Sequence, residues 1–290
     1  MEPGFHCFDF VGDLMSRYFG LAAAALLSLA GTGGALAADM AMKAPAAMVS
    51  GCAWCGFYVG GNAGYAWGRD TQDGVFGAPA PFLAIDTAAI SASASPRLKT
   101  NGFTGGLQAG YNWQSGAVLF GAEADFNAFN LRGSTAGTFP FPSTLPGGPI
   151  GPPTAFFNTT SSASSDWLFT ARNRIGWASD TLLIYGTAGL AVANVKVNQS
   201  IVVLGGFTET AAYSATQVGW TAGIGAEYMI SRDWSVKGEW LYVDLGKVSG
   251  AGVLTPAFAG ITYNTTAHLT ANIARVGLNY HFGGPVVAKY

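Results

Sequence analysis

The chain has 290 residues, a mean hydropathy of +0.30 and only 10% charged residues, a balance typical of membrane proteins. Its formal net charge of -2 lacks the basic surplus that nucleic-acid binding requires, so no nucleic-acid partner is expected. Past an N-terminal leader no run of 18 or more apolar residues occurs, which excludes spanning helices; lipid then leaves only a closed β-barrel.

The leader starts with the basic Met15-Ser16-Arg17-Tyr18, continues through an apolar run over residues 19–30, and ends at the small-residue site Ala35-Leu36-Ala37. Residues 15–37 thus have the three parts of a secretory signal peptide, with cleavage before Ala38. Residues 1–14 carry Glu2, Asp9 and Asp13, which do not suit an n-region, and read as a non-native start extension. Beyond residue 37 the chain keeps 13 basic and 13 acidic side chains and is formally neutral.

Residues 38–55 have no useful period and read as a periplasmic linker. They hold Cys52 and Cys55, which could close a small disulfide in an oxidising compartment. A thioredoxin-like site would instead have to open a helix in a βαβ unit, and here a strand follows.

From Gly56 to Phe282 the sequence alternates with period two, which marks strands with one apolar and one small or polar face. The first strand presents Phe57, Val59, Ala63, Tyr65 and Trp67 outward and Tyr58, Gly60, Asn62 and Gly64 inward. A proline-bearing loop of about thirty residues leads to the second, with Phe103, Leu107, Ala109, Tyr111 and Trp113 outward and Thr104, Gln108 and Asn112 inward. After a tight turn the third sends Val118, Phe120, Ala122, Ala124 and Phe126 out and Glu123, Asp125 and Asn127 in. The Pro, Gly, Ser and Thr-rich stretch through residue 165 is expected to be loop, because prolines interrupt strands.

The fourth strand, residues 166–177, puts Arg172 and Arg174 inward; Asn173 is a polar blemish on its apolar face. The fifth alternates Leu182, Ile184, Ala188, Leu190 and Val192 with Tyr185, Thr187 and Gly189, and a loop to about residue 216 follows. The sixth carries Val218, Trp220, Ala222, Ile224, Ala226 and Tyr228 outward and Glu227 inward; the seventh has Trp234, Val236, Trp240 and Tyr242 out and Ser235, Lys237 and Glu239 in. A last long loop reaches the eighth strand, where Ala274, Val276, Leu278, Tyr280 and Phe282 alternate with Arg275, Gly277, Asn279 and His281.

The expected fold is therefore all-β: an eight-stranded antiparallel up-and-down transmembrane β-barrel over residues 56–282, followed by a tail of residues 283–290. Long and short connections alternate, as in outer-membrane barrels with external loops and periplasmic turns. That orientation sorts the outward aromatics into two belts. Phe57, Trp113, Trp177, Tyr228, Trp234 and Phe282 lie at the periplasmic ends, and Trp67, Phe103, Phe126, Trp167, Trp220 and Tyr242 at the outer ends. Glu123, Asp125, Glu227 and Glu239 face Arg172, Arg174, Lys237 and Arg275 in the lumen, so four acids balance four bases. Eight strands leave room for little but side chains, and ion pairs closing the lumen are expected.

Several of these stretches together resemble the alphaproteobacterial outer-membrane immunogenic, porin-like small β-barrel family, whose barrels are of the OmpA-like eight-stranded kind. They include Gly60-Gly61-Asn62-Ala63-Gly64-Tyr65, Gly105-Gly106-Leu107-Gln108-Ala109-Gly110-Tyr111-Asn112-Trp113, Ala171-Arg172-Asn173-Arg174-Ile175-Gly176 and Arg275-Val276-Gly277-Leu278-Asn279-Tyr280-His281-Phe282. The resemblance covers residues 56 to 282. It implies an abundant barrel of the bacterial cell outer membrane, exposed to hosts and immune systems. It also implies that Val276, Leu278, Tyr280 and Phe282 form the signal read by the barrel-assembly machinery. The tail after Phe282, the cysteine pair and the long proline-rich second external loop depart from the family.

The leading functional expectation is a non-enzymatic structural and surface-antigen barrel in contact with outer-membrane lipid, lipopolysaccharide and, through its loops, host surface molecules. Its rival is a small-solute porin, which the balanced lumen opposes. An enzyme acting on lipid would need a nucleophile beside a base, and past the leader only His268 and His281 remain. Haem or host-ligand binding by the loops has little support beyond His268. No catalytic residue, cofactor or metal site is expected.

Overall fold

The structure, a computed structural model, describes residues 52–77, 84–142, 156–203, 207–255 and 262–282. The expected signal peptide, residues 1–51 in general and the tail after Phe282 lie outside them.

Eight long strands make up the wall: β1 (Gly56–Gly77), β2 (Arg97–Ser115), β3 (Val118–Pro140), β4 (Phe156–Ala178), β5 (Leu182–Val203), β6 (Phe207–Met229), β7 (Trp234–Ala251) and β8 (Thr262–His281). After Gly252, β7 resumes for three residues, Val253–Thr255, which pair with β6. Every strand is antiparallel to its sequence neighbour. The sheet closes where β1 pairs with β8 over a continuous ladder from Tyr58↔His281 to Gly77↔Thr262. At the lower end of that seam the Phe282 amide donates to the Phe57 carbonyl at 2.9 Å. In the lower half of the barrel every strand is paired on both sides, which is what hydrocarbon demands of a strand; above it the β6–β7 ladder ends at Trp220↔Asp244.

The expected inward and outward faces hold throughout the lower half of the barrel. Phe103, Leu107, Trp113, Phe120, Phe126, Ile175, Ile224 and Val276 are exposed on the outer wall, whereas Tyr58, Gln108, Glu123, Arg172, Glu227 and Arg275 are buried in the lumen. Asn173 does stand on the outer face. Cross-strand ring pairs build the two belts: Phe57 against Phe282 (5.6 Å) at the short-turn end, Phe126 against Trp167 (6.0 Å) and Trp220 against Tyr242 (5.4 Å) at the other.

The upper half departs from the sequence reading. The strands run 18 to 23 residues, about twice the ~9–11 that cross a bilayer. Of the stretch expected to be loop up to residue 165, residues 131–140 and 156–165 instead pair as a ladder from Pro140↔Phe156 to Leu131↔Ser165, while residues 143–155 lie outside the described residues. Likewise β5 and β6 stay paired as far as Val203↔Phe207. Prolines did not prevent this, because Pro140 sits at the ladder's end, where no further ladder bond is required. The first long connection, expected to be irregular, contains helix α1 (Ala84–Ser93), whose Ile90 packs with Ala94, Phe76, Phe141, Phe157 and Tyr263. These residues form an apolar cluster at the long-loop end.

Register shifts mark the level where the lower half meets the upper, at Ala128/Leu131, Ser164/Leu168 and Asp244/Lys247. In the last of these Gly246 adopts φ 70°, a left-handed conformation that favours glycine, and its amide is held by Asp244 Oδ1 at 2.8 Å.

Leu278 lies midway between the belts on the outer face, opposite Val236 and Gly61. Leu278→Arg should cost about 2–4 kcal/mol in urea-unfolding experiments on the lipid-reconstituted barrel; a neutral result would place this face away from hydrocarbon.

Candidate functional site in the barrel lumen

The eight lumen charges belong to β3, β4, β6, β7 and β8, and strand register brings three acids directly opposite bases: Glu123↔Arg172, Glu227↔Lys237 and Glu239↔Arg275. Contacts then extend across the lumen to strands that are not neighbours. Lys237 Nζ on β7 reaches both carboxylate oxygens of Glu123 on β3 at 2.8 Å. Arg172 on β4 holds Glu239 on β7 at 2.9 Å and Asp125 at 2.9 Å, and it also donates to Glu123. Arg275 on β8 holds Glu239 at 2.6 Å and reaches Asp125 at 3.1 Å. Arg174 bridges Glu123 (3.0 Å) and Glu227 (3.2 Å). All eight are at most 5% exposed.

Neutral side chains complete it. Tyr58 donates to Glu123 at 2.6 Å and Tyr185 to Glu239 at 3.1 Å. Their rings also sandwich the Arg174 guanidinium, at 4.9 and 4.7 Å from its central carbon. Both rings fit because a glycine stands directly across from each: Gly110 opposite Tyr58 and Gly225 opposite Tyr185, where a Cβ would collide with the ring. Asn279 donates to Glu227 at 2.6 Å and accepts from Gln108 at 2.6 Å. Sequence reasoning placed Tyr58 and Tyr185 inward but assigned them no role; the usable signal was a bulky inward ring facing an inward glycine.

Apolar layers lie on both sides of the lattice. Above it, toward the long loops, Ala66, Phe129, Leu131, Leu168, Leu241, Val243, Leu269 and Ile273 belong to one buried cluster. Below it, Trp54 packs fully buried with Leu119, Leu183 and Tyr185. Trp54 stands between Cys52 and Cys55, which are joined by a disulfide with Cα atoms 5.4 Å apart. Its indole nitrogen donates to the Ser179 carbonyl at 2.7 Å, and its ring meets His281 edge-on at 5.8 Å. Residues 52–55, read from the sequence as the end of a linker, therefore enter the barrel mouth. The physical reason is that a large ring in an aqueous linker gains by filling the apolar mouth.

His281 Nε2 lies 2.9 Å from Ser235 Oγ, which itself donates to Glu227 at 2.5 Å. His268 is half-exposed on β8 and pairs with Asp244 at 2.9 Å. Among the described residues no group of three or more His, Cys, Asp or Glu side chains could hold a metal ion. Val276 and Phe282, with Leu278, lie on the outer face of β8; Tyr280 packs on Trp234 and Phe282 at 5.1 and 5.0 Å.

Glu123 is the hub of the lattice, contacting Arg172, Arg174, Lys237 and Tyr58. Glu123→Gln leaves buried cations short of a counter-charge and should lower stability by about 3–5 kcal/mol, read as a shift of the urea midpoint. An unchanged midpoint would mean that water already reaches this layer.

A family model described as outer membrane protein beta-barrel domain matches residues 22–282. The 31 kDa outer-membrane immunogenic protein of Brucella melitensis is 36% identical over 260 residues, covering 86% of this chain and 93% of that protein. The 22 kDa outer membrane protein of Rhizobium leguminosarum is 27% identical over 66% of this chain and 64% of its own length. Among solved structures, the outer membrane protease OmpT from Escherichia coli superimposes with a TM-score of 0.42 at 11% identity, over 78% of this chain and 97% of that one. The chain belongs to the outer-membrane β-barrel family and is an outer-membrane protein.

Proposed function

We propose that the protein is a closed structural barrel that stabilises the envelope and displays its long upper strands and loops as surface antigen and host contact, without catalysing a reaction. The observation that carries this reading is the filled lumen. The Trp54 plug, the ion-pair lattice, the apolar layer above it and the α1 cluster occupy successive levels. A small-solute porin needs a continuous polar path, and the buried Leu241, Val243 and Leu269, with Asp70 as the charge beside Leu269, oppose one above the charged layer. Ion pairs are therefore one of several closures in this proposal.

The non-enzymatic part is supported by the geometry at His281. In a catalytic triad the acid orients the ring nitrogen remote from the nucleophile. Here Glu227 lies on the same nitrogen as Ser235, 3.4 Å from Nε2, and takes the serine's own proton. Trp54 covers the group from below.

In planar bilayers the wild type should give no stable single-channel steps, and Glu239→Ala should stay near silent while losing stability, because the apolar layer persists. Stable wild-type conductance at high open probability would overturn the closed-barrel reading in favour of the porin.

The outward face of β8 also supports delivery to the barrel-assembly machinery through Val276, Leu278, Tyr280 and Phe282, with Phe282 closing the seam onto Phe57. Deleting residues 283–290 should leave outer-membrane yield unchanged, whereas Phe282→Ala should reduce it. Loss of assembly on tail deletion alone would transfer the signal to the tail.

A further inference from the structure

The cations outside the lumen are unevenly placed. Among the described residues, Arg69, Arg97, Lys99, Arg132 and Lys196 all stand exposed on the outer wall of β1–β5, above the upper aromatic belt. The β6–β8 sector has Lys247, and the short-turn end has Arg232. Register makes the first group a row. Arg69 lies directly opposite Lys99, Arg97 opposite Thr71, Arg132 opposite both Asn101 and Ser164, and Ser164 opposite Lys196. Of these, Arg69 and Lys99 are directly opposed like charges on one sheet face, which repel, and an anion beside Lys99 relieves that pair. Lys99, Asn101, Arg132, Ser164, Asp166 and Lys196 line a single open groove of about 630 Å³. Its one acid, Asp166, is engaged by Lys196 at 2.5 Å, which leaves the groove with a net positive charge.

Depth identifies the occupant. Trp67, Phe103, Phe126 and Trp167 form the belt below the same strands, and Lys99 is four residues above Phe103. At ~3.3 Å per residue along a tilted strand, that places its ammonium about 10 Å beyond the hydrocarbon edge. Headgroups lie at that level; the strand tips, where soluble host molecules would meet the barrel, continue well above it to Pro140 and Phe156.

We propose that the Lys99–Arg132–Lys196 groove is a docking site for the anionic, phosphorylated sugar headgroup of lipopolysaccharide in the outer leaflet. Arg132 supplies a fork suited to a phosphate, flanked by two lysines as point charges. The Trp67, Phe103, Phe126 and Trp167 belt receives the acyl region below. This inference rests on the surface-barrel reading for its orientation but not on lumen closure, so a conducting wild type leaves it standing.

The test is native mass spectrometry of the full-length folded barrel in detergent, titrated with bisphosphorylated lipid A. Fully dephosphorylated lipid A, phosphatidylglycerol and inorganic phosphate serve as comparison probes. Bisphosphorylated lipid A should bind, and the Lys99→Gln/Arg132→Gln/Lys196→Gln variant should bind about a hundred-fold more weakly, as expected for three lost lipid-facing charges. Lys247→Gln should bind as wild type does. Asp166→Asn, which releases Lys196, should bind several-fold more tightly, a gain that misfolding cannot produce. Wild-type affinity in the triple variant overturns the site. Equal binding of phosphatidylglycerol or dephosphorylated lipid A overturns the headgroup assignment, and displacement of the lipid by millimolar inorganic phosphate reduces the groove to a free-anion site.

Discussion

Everything in this structure follows from one constraint: in hydrocarbon each backbone N–H and C=O must find a partner within the protein. A flat sheet leaves two edges unmet, so β1 must find β8, and the seam from Tyr58↔His281 upward is the interaction that completes the rest. Once closed, the wall has an inside and an outside, and the period of two along each strand stops being a preference. A one-residue slip in any strand would turn Arg172 or Glu239 toward lipid and Ile175 or Trp240 into the lumen.

Closure with eight strands also fixes the lumen's width. Side chains from opposite walls meet, as Lys237 and Glu123 do across the barrel. A charge placed in so narrow a space has to be neutralised by a specific partner, because little water fits beside it. This accounts for the equal numbers of acids and bases, for the dominance of arginine with its several fixed donors, and for the glycines that admit Tyr58 and Tyr185. The lattice specifies one arrangement, since each acid is shared by two or more donors.

How much of this could be read in advance depended on what each segment touches. Where strands face lipid on one side and the lumen on the other, two solvents impose the alternation, and the parity of residues such as Phe103 and Gln108 is plain in the sequence. Above the belt, water lies outside, and the requirement for aliphatic and aromatic residues lapses. Residues 156–165 became rich in Ser and Thr, and their pairing with β3 left no apolar signal. Helix α1 was hidden for a related reason: it buries only Ile90 and Asp86 of its ten residues, too little for a periodic stripe. The eight lumen charges were legible because charge on an inward parity is conspicuous. Trp54 was not, because a single ring flanked by cysteines carries no period, and its burial depends on a cavity made by residues more than sixty positions away.

Trp54 nonetheless ties the segment before the barrel to the charged layer. Its ring packs on His281, whose Nε2 contacts Ser235, and Ser235 donates to Glu227, which in turn holds Arg174. The disulfide shortens the reach of that segment and presents the ring at its turn, so the ordering entropy lost when Trp54 inserts is smaller than for an open chain. The Trp54 layer and the lattice are thus contiguous, one built from apolar contact and the other from paired charge. Each supports the other: the ring covers one side of the ion-pair layer, and the paired charges spare the ring from facing an unsatisfied ion. A lumen built only of charges would depend on every pair being made. A lumen built only of apolar residues would lack the directional contacts that hold opposite walls in one register.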